Sequence, residues 1–128
     1  MTKKLTALVG FHNPMHLVMA SDIIEMYGYH TIRIKTPHEM LALAKEREFD
    51  AYHWDVNFGK PGSIDISFSE TFWTLIKDRY ESGQVKALAS TNTEKAIEIA
   101  RTRGIPCEDK MKVLNARFSY FKLDNTCR

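Results

Sequence analysis

The strongest constraint on this chain is a strict alternation. Short, apolar, β-branched runs take turns with longer stretches whose apolar residues recur at helical spacing. Leu5-Thr6-Ala7-Leu8-Val9-Gly10 reads as a first strand, apolar on both faces. Behind Pro14, residues Leu17, Ala20, Ile23, Ile24 and Tyr27 fall at helical spacing, and Gly28 stops that helix. A proline suits a first helical turn because its missing N–H would find no partner there anyway. Residues 30–35 are β-branched and alternating, which predicts a strand with one face more exposed. Thr36-Pro37-His38-Glu39 has the form of a capping box with proline at the first helical position. Met40, Leu41, Leu43 and Ala44 line the helix that follows.

The pattern continues with a third strand over 49–54 that ends at Asp55. Asn57-Phe58-Gly59-Lys60-Pro61-Gly62-Ser63 is dense in turn residues and predicts a loop. Ser67 or Ser69 can cap the next helix, whose apolar positions are Phe72, Trp73, Leu75, Ile76 and Tyr80, and Gly83 ends it. Residues 85–89 form the fourth strand. Thr91 with Glu94 makes another capping box, opening a helix through Ala96, Ile97, Ile99 and Ala100 to Gly104. Ile105-Pro106-Cys107 supplies a short fifth strand, whose proline places it at a sheet edge. A last helix is predicted from Glu108 to about Phe121, with Met111, Leu114, Phe118 and Phe121 near one face. Five strand–helix units in this order predict an α/β fold, a doubly wound five-stranded parallel sheet covered by helices on both faces.

Size and composition remove several functional classes. At 128 residues the chain suits one domain, spanning 1–128, with enough length for a real core. With 44% hydrophobic and 27% charged residues, it is neither a disordered nor a membrane sequence. No apolar run approaches the roughly 18 residues of a membrane helix. The opening apolar stretch soon meets His12, Asn13 and Pro14, which does not suit a secretory signal, so a cytoplasmic location is expected. A net charge of +2 on scattered basic residues does not suit nucleic acid. Cys107 and Cys127, with no CxxC, suggest neither a metal site nor a disulfide framework, and Cys107 reads as a buried small hydrophobe.

Ligands and chemistry gather at the carboxyl ends of the strands in such sheets. Those ends carry Phe11-His12-Asn13, Asp55, Ser90-Thr91 and Lys110. This order resembles the receiver domain of bacterial two-component signalling, over nearly the whole chain. The resemblance implies a flavodoxin-like fold of five βα units. Asp55 falls where that family has its phosphoacceptor, Ser90 where it has a phosphate-sensing hydroxyl, and Lys110 where it has its lysine. A carboxylate attacks phosphorus as the nucleophile, and a divalent cation neutralises the charge that builds on the phosphoryl oxygens. The resemblance assigns Mg2+ to an acidic pair after the first strand, with Asp55 and the carbonyl of Asn57. Here Phe11, His12 and Asn13 replace the acidic pair, so the cation would rest mainly on Asp55. Pro61 stands further along than the family's proline, and Cys107 takes the place of the aromatic switch residue. The stretch after Ser90 is about a residue short, with Ala89 as the competing alignment. The chain therefore resembles a degenerate or atypical receiver, in which Asp55 is the phosphoacceptor or its vestige.

Each of these residues has a plainer reading beside the functional one. Asp55 can be a polar strand terminus that caps its loop, Ser90 can cap the fourth helix with Thr91, and Lys110 can be one more basic residue at a helix start. The resemblance instead favours a salt link between Lys110 and Asp55. His12 and His16 stand four apart, a zinc-binding spacing on a helix, but Pro14 lies between them and nothing nearby completes a tetrahedral set. His53 and Trp54 read as sheet-face packing residues. The expected role is a non-enzymatic signalling module that docks to a protein partner, a histidine kinase or effector. Phe118, Tyr120 and Phe121 supply an apolar patch for docking or for a homodimer. With no output domain in the chain, it acts through another protein or is excised from a larger one. The alternative is a small flavodoxin-like or nucleotide-binding enzyme. It needs a phosphate-cradling glycine loop after the first strand, and Gly10-Phe11-His12-Asn13-Pro14 makes a poor one.

Overall fold

The apolar runs become a single sheet. In the computed structural model, which describes residues 4–115 and 119–122, five strands alternate with five helices. The strands are β1 (Leu5–Gly10), β2 (Tyr29–Ile34), β3 (Ala51–Asp55), β4 (Lys86–Thr91) and β5 (Cys107–Asp109). The helices are α1 (Pro14–Met26), α2 (Pro37–Glu46), α3 (Ser67–Glu81), α4 (Glu94–Thr102) and α5 (Lys110–Val113). All neighbouring strands run parallel, in the order β2-β1-β3-β4-β5. The chain moves outward from β1 to β2, then crosses back to β3 on the other side of β1. Loops leaving β1 and β3 therefore part in opposite directions and open a crevice above their carboxyl ends.

The predicted doubly wound α/β fold is thus present, with a core on each face of the sheet. Tyr52, Trp54, Ala87 and Ala89 point to one face and pack with Met40, Phe72, Ile76, Ala96 and Ala100. Ala7, Val9, Ala51 and Leu88 point to the other and pack with Leu17, Ala20 and Ile24 of α1, and with Val113, Leu114 and Phe121. The period of two in β3 separates these sets cleanly. It also sends His53 and Asp55 to the same side as Ala51.

Helix starts follow the sequence for α1 and α2. The Asn13 side chain accepts hydrogen bonds from the backbone N–H groups of Met15 at 2.9 Å and His16 at 3.2 Å, just ahead of Pro14. The Thr36 hydroxyl accepts from Glu39 N–H at 3.3 Å, as the predicted capping box requires. Gly28, at φ 95°, closes α1 in a conformation that favours glycine.

Three expectations are corrected. Neither Ser67 nor Ser69 caps α3, whose N-cap is Ile66 without a side-chain bond. Ser69 is consumed elsewhere: its hydroxyl accepts from the Trp54 indole N–H at 2.8 Å and donates to the Val56 carbonyl at 2.7 Å, all in the core. Nor do Thr91 and Glu94 form a capping box. β4 runs on through Thr91, the N-cap of α4 is Thr93, and Thr91 Oγ1 accepts from Thr93 N–H at 3.2 Å. The last helix, predicted to reach Phe121, ends at Val113. Residues 119–122 instead fold back on the sheet. The Tyr120 hydroxyl donates to the Ala87 carbonyl at 2.7 Å, and Lys86 Nζ donates to the carbonyls of Tyr120 at 3.0 Å and Lys122 at 2.8 Å. Phe121 is buried in the core, so the expected apolar docking patch does not include it. Phe118 and Cys127 lie outside the described residues.

Two smaller predictions hold, the edge strand and the buried cysteine. The fifth strand sits at the edge, displaced past Pro106 to Cys107–Asp109. Cys107 is buried among apolar residues, and burial pushes its thiol up to about 12. Among the described residues no helix is long and apolar enough to cross a membrane.

Candidate functional site

Asp55 ends β3 at the rim of the crevice, and its side chain is only 1% exposed. Lys110 opens α5 directly after β5 and is almost as deeply buried. Its Nζ donates to Asp55 Oδ2 at 3.2 Å. Asp109 fixes the start of α5 by accepting from Met111 N–H at 2.8 Å, which sets the direction of Lys110. His12, in the bend between β1 and α1, brings Nδ1 to 3.2 Å from the same Oδ2 while 39% of its side chain stays exposed. The other carboxylate oxygen, Oδ1, is buried and has no hydrogen-bond partner. The charge is thus distributed unevenly over one carboxylate. Two nitrogens crowd one oxygen and the other stands free. The ammonium of Lys110 also lies 5.3 Å from the centre of the Phe11 ring, a cation–π distance that suits its burial.

Above Asp55 lies an open cavity of about 190 Å³, lined by His12, Asn13 and His16 from the α1 side. Thr91, Asn92 and Thr93 come from the β4–α4 side, and Asn57, Pro61 and Gly62 from the loop after β3. That loop overhangs the rim as its position predicts. It is pinned by Asn57, which is buried and donates from Nδ2 to the Ser63 carbonyl at 2.9 Å. His16 carries a buried Nδ1 with no partner. Its pKa is lowered, by burial first and by the Lys110 charge next, against a weaker pull from Asp55.

The structure brings Asp55, Asn57 and Lys110 together at this cavity and sets Ser90 apart. Ser90 pairs in register with Asp55 across the β3–β4 ladder, but its hydroxyl is fully buried, 3.3 Å from His53 Nε2, and does not line the cavity. The hydroxyl-bearing residues in the cavity lining are instead the next residue, Thr91, and Thr93. Ser90 does not cap α4 either. His53 lies beneath Asp55, on the same face two residues earlier. Burial, with Lys110 adding to it, pushes its pKa down to about 3. Its ring stands edge-on to Phe11 at 5.0 Å and 5.5 Å from Phe121, and its Nδ1 has no partner. The sheet-face reading of His53 and Trp54 is therefore correct for both. Sequence reasoning did not foresee that His12 would contact Asp55 or that His53 would hold Ser90. The strand period, which puts 53 and 55 on one face, carried a signal for the second.

A hard dication does not fit these donors. Mg2+ prefers an octahedron of oxygens, usually with one or two carboxylates, and a cation at the same oxygen repels it. Asp55 is the sole carboxylate in the cavity lining, and an ammonium and an imidazole already hold its Oδ2. The carbonyl of Asn57 is engaged by Lys60 N–H at 2.8 Å. Among the described residues no group of three or more His, Cys, Asp or Glu side chains is placed to hold a metal ion.

No protein-family model matches the chain, and no curated protein matches it. Solved structures do. The chain resembles a CheY-like response regulator receiver domain protein from Methanospirillum hungatei JF-1, at 18% identity and a TM-score of 0.62, covering 84% of this chain and 81% of that one. It also resembles the chemotaxis response regulator CheY4 of Vibrio cholerae, at 17% identity and a TM-score of 0.60, covering 88% and 94%. SdrG from Pseudomonas melonis Fr1, in its BeF3-activated conformation, matches at 19% identity and a TM-score of 0.58, covering 86% of each chain. At these identities it is the fold that is shared. The chain has the five-stranded parallel receiver fold.

Proposed function

We propose that this chain is a receiver-like signalling module of the two-component phosphorelay type, atypical in its cleft, which acts by docking to a histidine kinase or an effector protein. The observation that carries the reading is the buried contact between Asp55 and Lys110 on the strand-end rim of a receiver fold. In it Asp55 is the phosphoacceptor or its vestige, and Lys110 pairs with the phosphoryl oxygens as a point charge. Ser90 senses the phosphoryl group only after leaving His53, so a switch through this hydroxyl would first break a buried contact. The module itself is not an enzyme, forms one domain in the cytoplasm, and signals through the shape of its helix faces. A homodimer is a further form such a module takes.

The rival reading, a flavin- or nucleotide-binding enzyme, gains nothing from the site. A Cβ at Gly10 would collide with the Met40 sulfur and the Phe58 ring, so this glycine answers to packing and not to a phosphate. Phosphotransfer profiling against the histidine kinases of the source organism tests the proposal. A label passing to the wild type and not to Asp55→Asn supports the acceptor form. Binding without transfer leaves the phosphorylation-independent form. If no kinase or effector binds, and flavin or nucleotide raises the melting temperature instead, the signalling reading is wrong.

A further inference from the structure

Phosphoryl transfer to a carboxylate sets a negative nucleophile against negative phosphoryl oxygens, and positive charge must stand between them. In this cleft the Lys110 ammonium already places positive charge beside the carboxylate. Lys110 Nζ and His12 Nδ1 both lie 3.2 Å from Asp55 Oδ2, so an ammonium and a second nitrogen already stand at the carboxylate that lines the cavity. His12 is partly exposed and on a bend, so it can follow an incoming oxygen at little cost. A divalent cation placed here would meet an ammonium and an imidazole where it needs oxygens.

We propose that Asp55 accepts a phosphoryl group without a divalent cation, with the Lys110 ammonium neutralising the transferred charge and His12 hydrogen-bonding to the phosphoryl oxygens. This rests on the acceptor role given to Asp55 above. With phosphoramidate as donor, a carboxylate lone pair of Asp55 forms the new O–P bond as the P–N bond breaks. The bonding pair leaves with the nitrogen, which is already protonated in this donor and departs as ammonia, and nothing is oxidised or reduced. His12 and Lys110 then pair with the phosphoryl oxygens.

The full chain is incubated with phosphoramidate in EDTA or in magnesium, and the added phosphoryl mass is followed with time, with Asp55→Asn as the control. The wild type is expected to label at Asp55 in EDTA no more slowly than in magnesium. His12→Ala is expected to slow labelling in EDTA by about 10²-fold. His12→Asp restores a second carboxylate and is expected to label in magnesium and not in EDTA, an exchange of metal dependence that a purely structural role for His12 would not give. Wild-type labelling in magnesium alone overturns the inference and leaves Asp55 as an acceptor. Labelling of His12→Ala at the wild-type rate in EDTA overturns the role of His12. No labelling in either buffer overturns the inference together with the acceptor role, while kinase binding remains a separate measurement.

Discussion

At the scale of single residues, the least accommodated groups sit under the cleft. His53 is fully enclosed, and its pKa falls to about 3 because burial and the Lys110 charge both oppose protonation. The unfolded chain takes up this proton as the pH drops through about 6.5, and the native state refuses it until about 3. Stability from His53 is therefore complete above the higher value and declines through that window, by up to about 1.4 kcal/mol per pH unit. His16, also lowered, acts in the same direction. Urea midpoints between pH 7.5 and pH 4 are expected to fall steeply for the wild type and more gently for His53→Leu. Equal slopes would mean that His53 does not control the acid limb. Lys110 presents the opposite hazard. Lys110→Met leaves Asp55 buried with its ammonium partner gone, at an expected cost of about 3 kcal/mol in guanidinium unfolding. Adding Asp55→Asn to that variant is expected to recover much of the loss, and strict additivity would show that the two side chains are not coupled.

At the scale of elements, helix starts were legible where the capping residue had no other duty. Thr36 faces only its own helix, and the capping box reads straight from the sequence. Ser69 has the composition of a cap, yet the Trp54 indole and the Val56 carbonyl, brought to it by the sheet, claim both of its bonding capacities. A buried donor and a buried acceptor left unmet cost more than one missing cap, which is why the tertiary contact wins. Ser69→Ala is expected to destabilise the protein by about 2 kcal/mol, measured by thermal or chemical unfolding, together with a change in Trp54 fluorescence. A loss below about 0.5 kcal/mol would show that these two buried hydrogen bonds add little to stability. The engagement of Ser90 was not legible for a related reason. Its neighbour His53 comes from another strand, so no local pattern announces that its hydroxyl is engaged.

At the scale of the whole molecule, the segment 119–122 closes one face of the sheet. Phe121 packs with Phe11's partner His53 and with Leu88, Val9 and Val113 in one core cluster, and Lys86 and Tyr120 hold the backbone in place. A helical periodicity through 108–121 is present in the sequence, but the chain leaves the helix after Val113 to deliver this ring. Phe121→Ala is expected to cost about 3 kcal/mol, since it empties a buried aromatic site. A loss under about 1 kcal/mol in the guanidinium unfolding free energy would show that the segment is loosely held.

The residues alone determined the alternation of elements, the parallel sheet and the positions of Asp55 and Lys110 at strand ends. Those features follow from periodicity and from the few topologies that right-handed crossovers allow. Which atom meets which was decided only in three dimensions. His12 on Oδ2, an empty Oδ1, Ser90 tied to His53 and Phe121 in the core all join residues from separate elements. Sequence spacing carries no distance between strands, and buried polar groups choose partners by proximity and need.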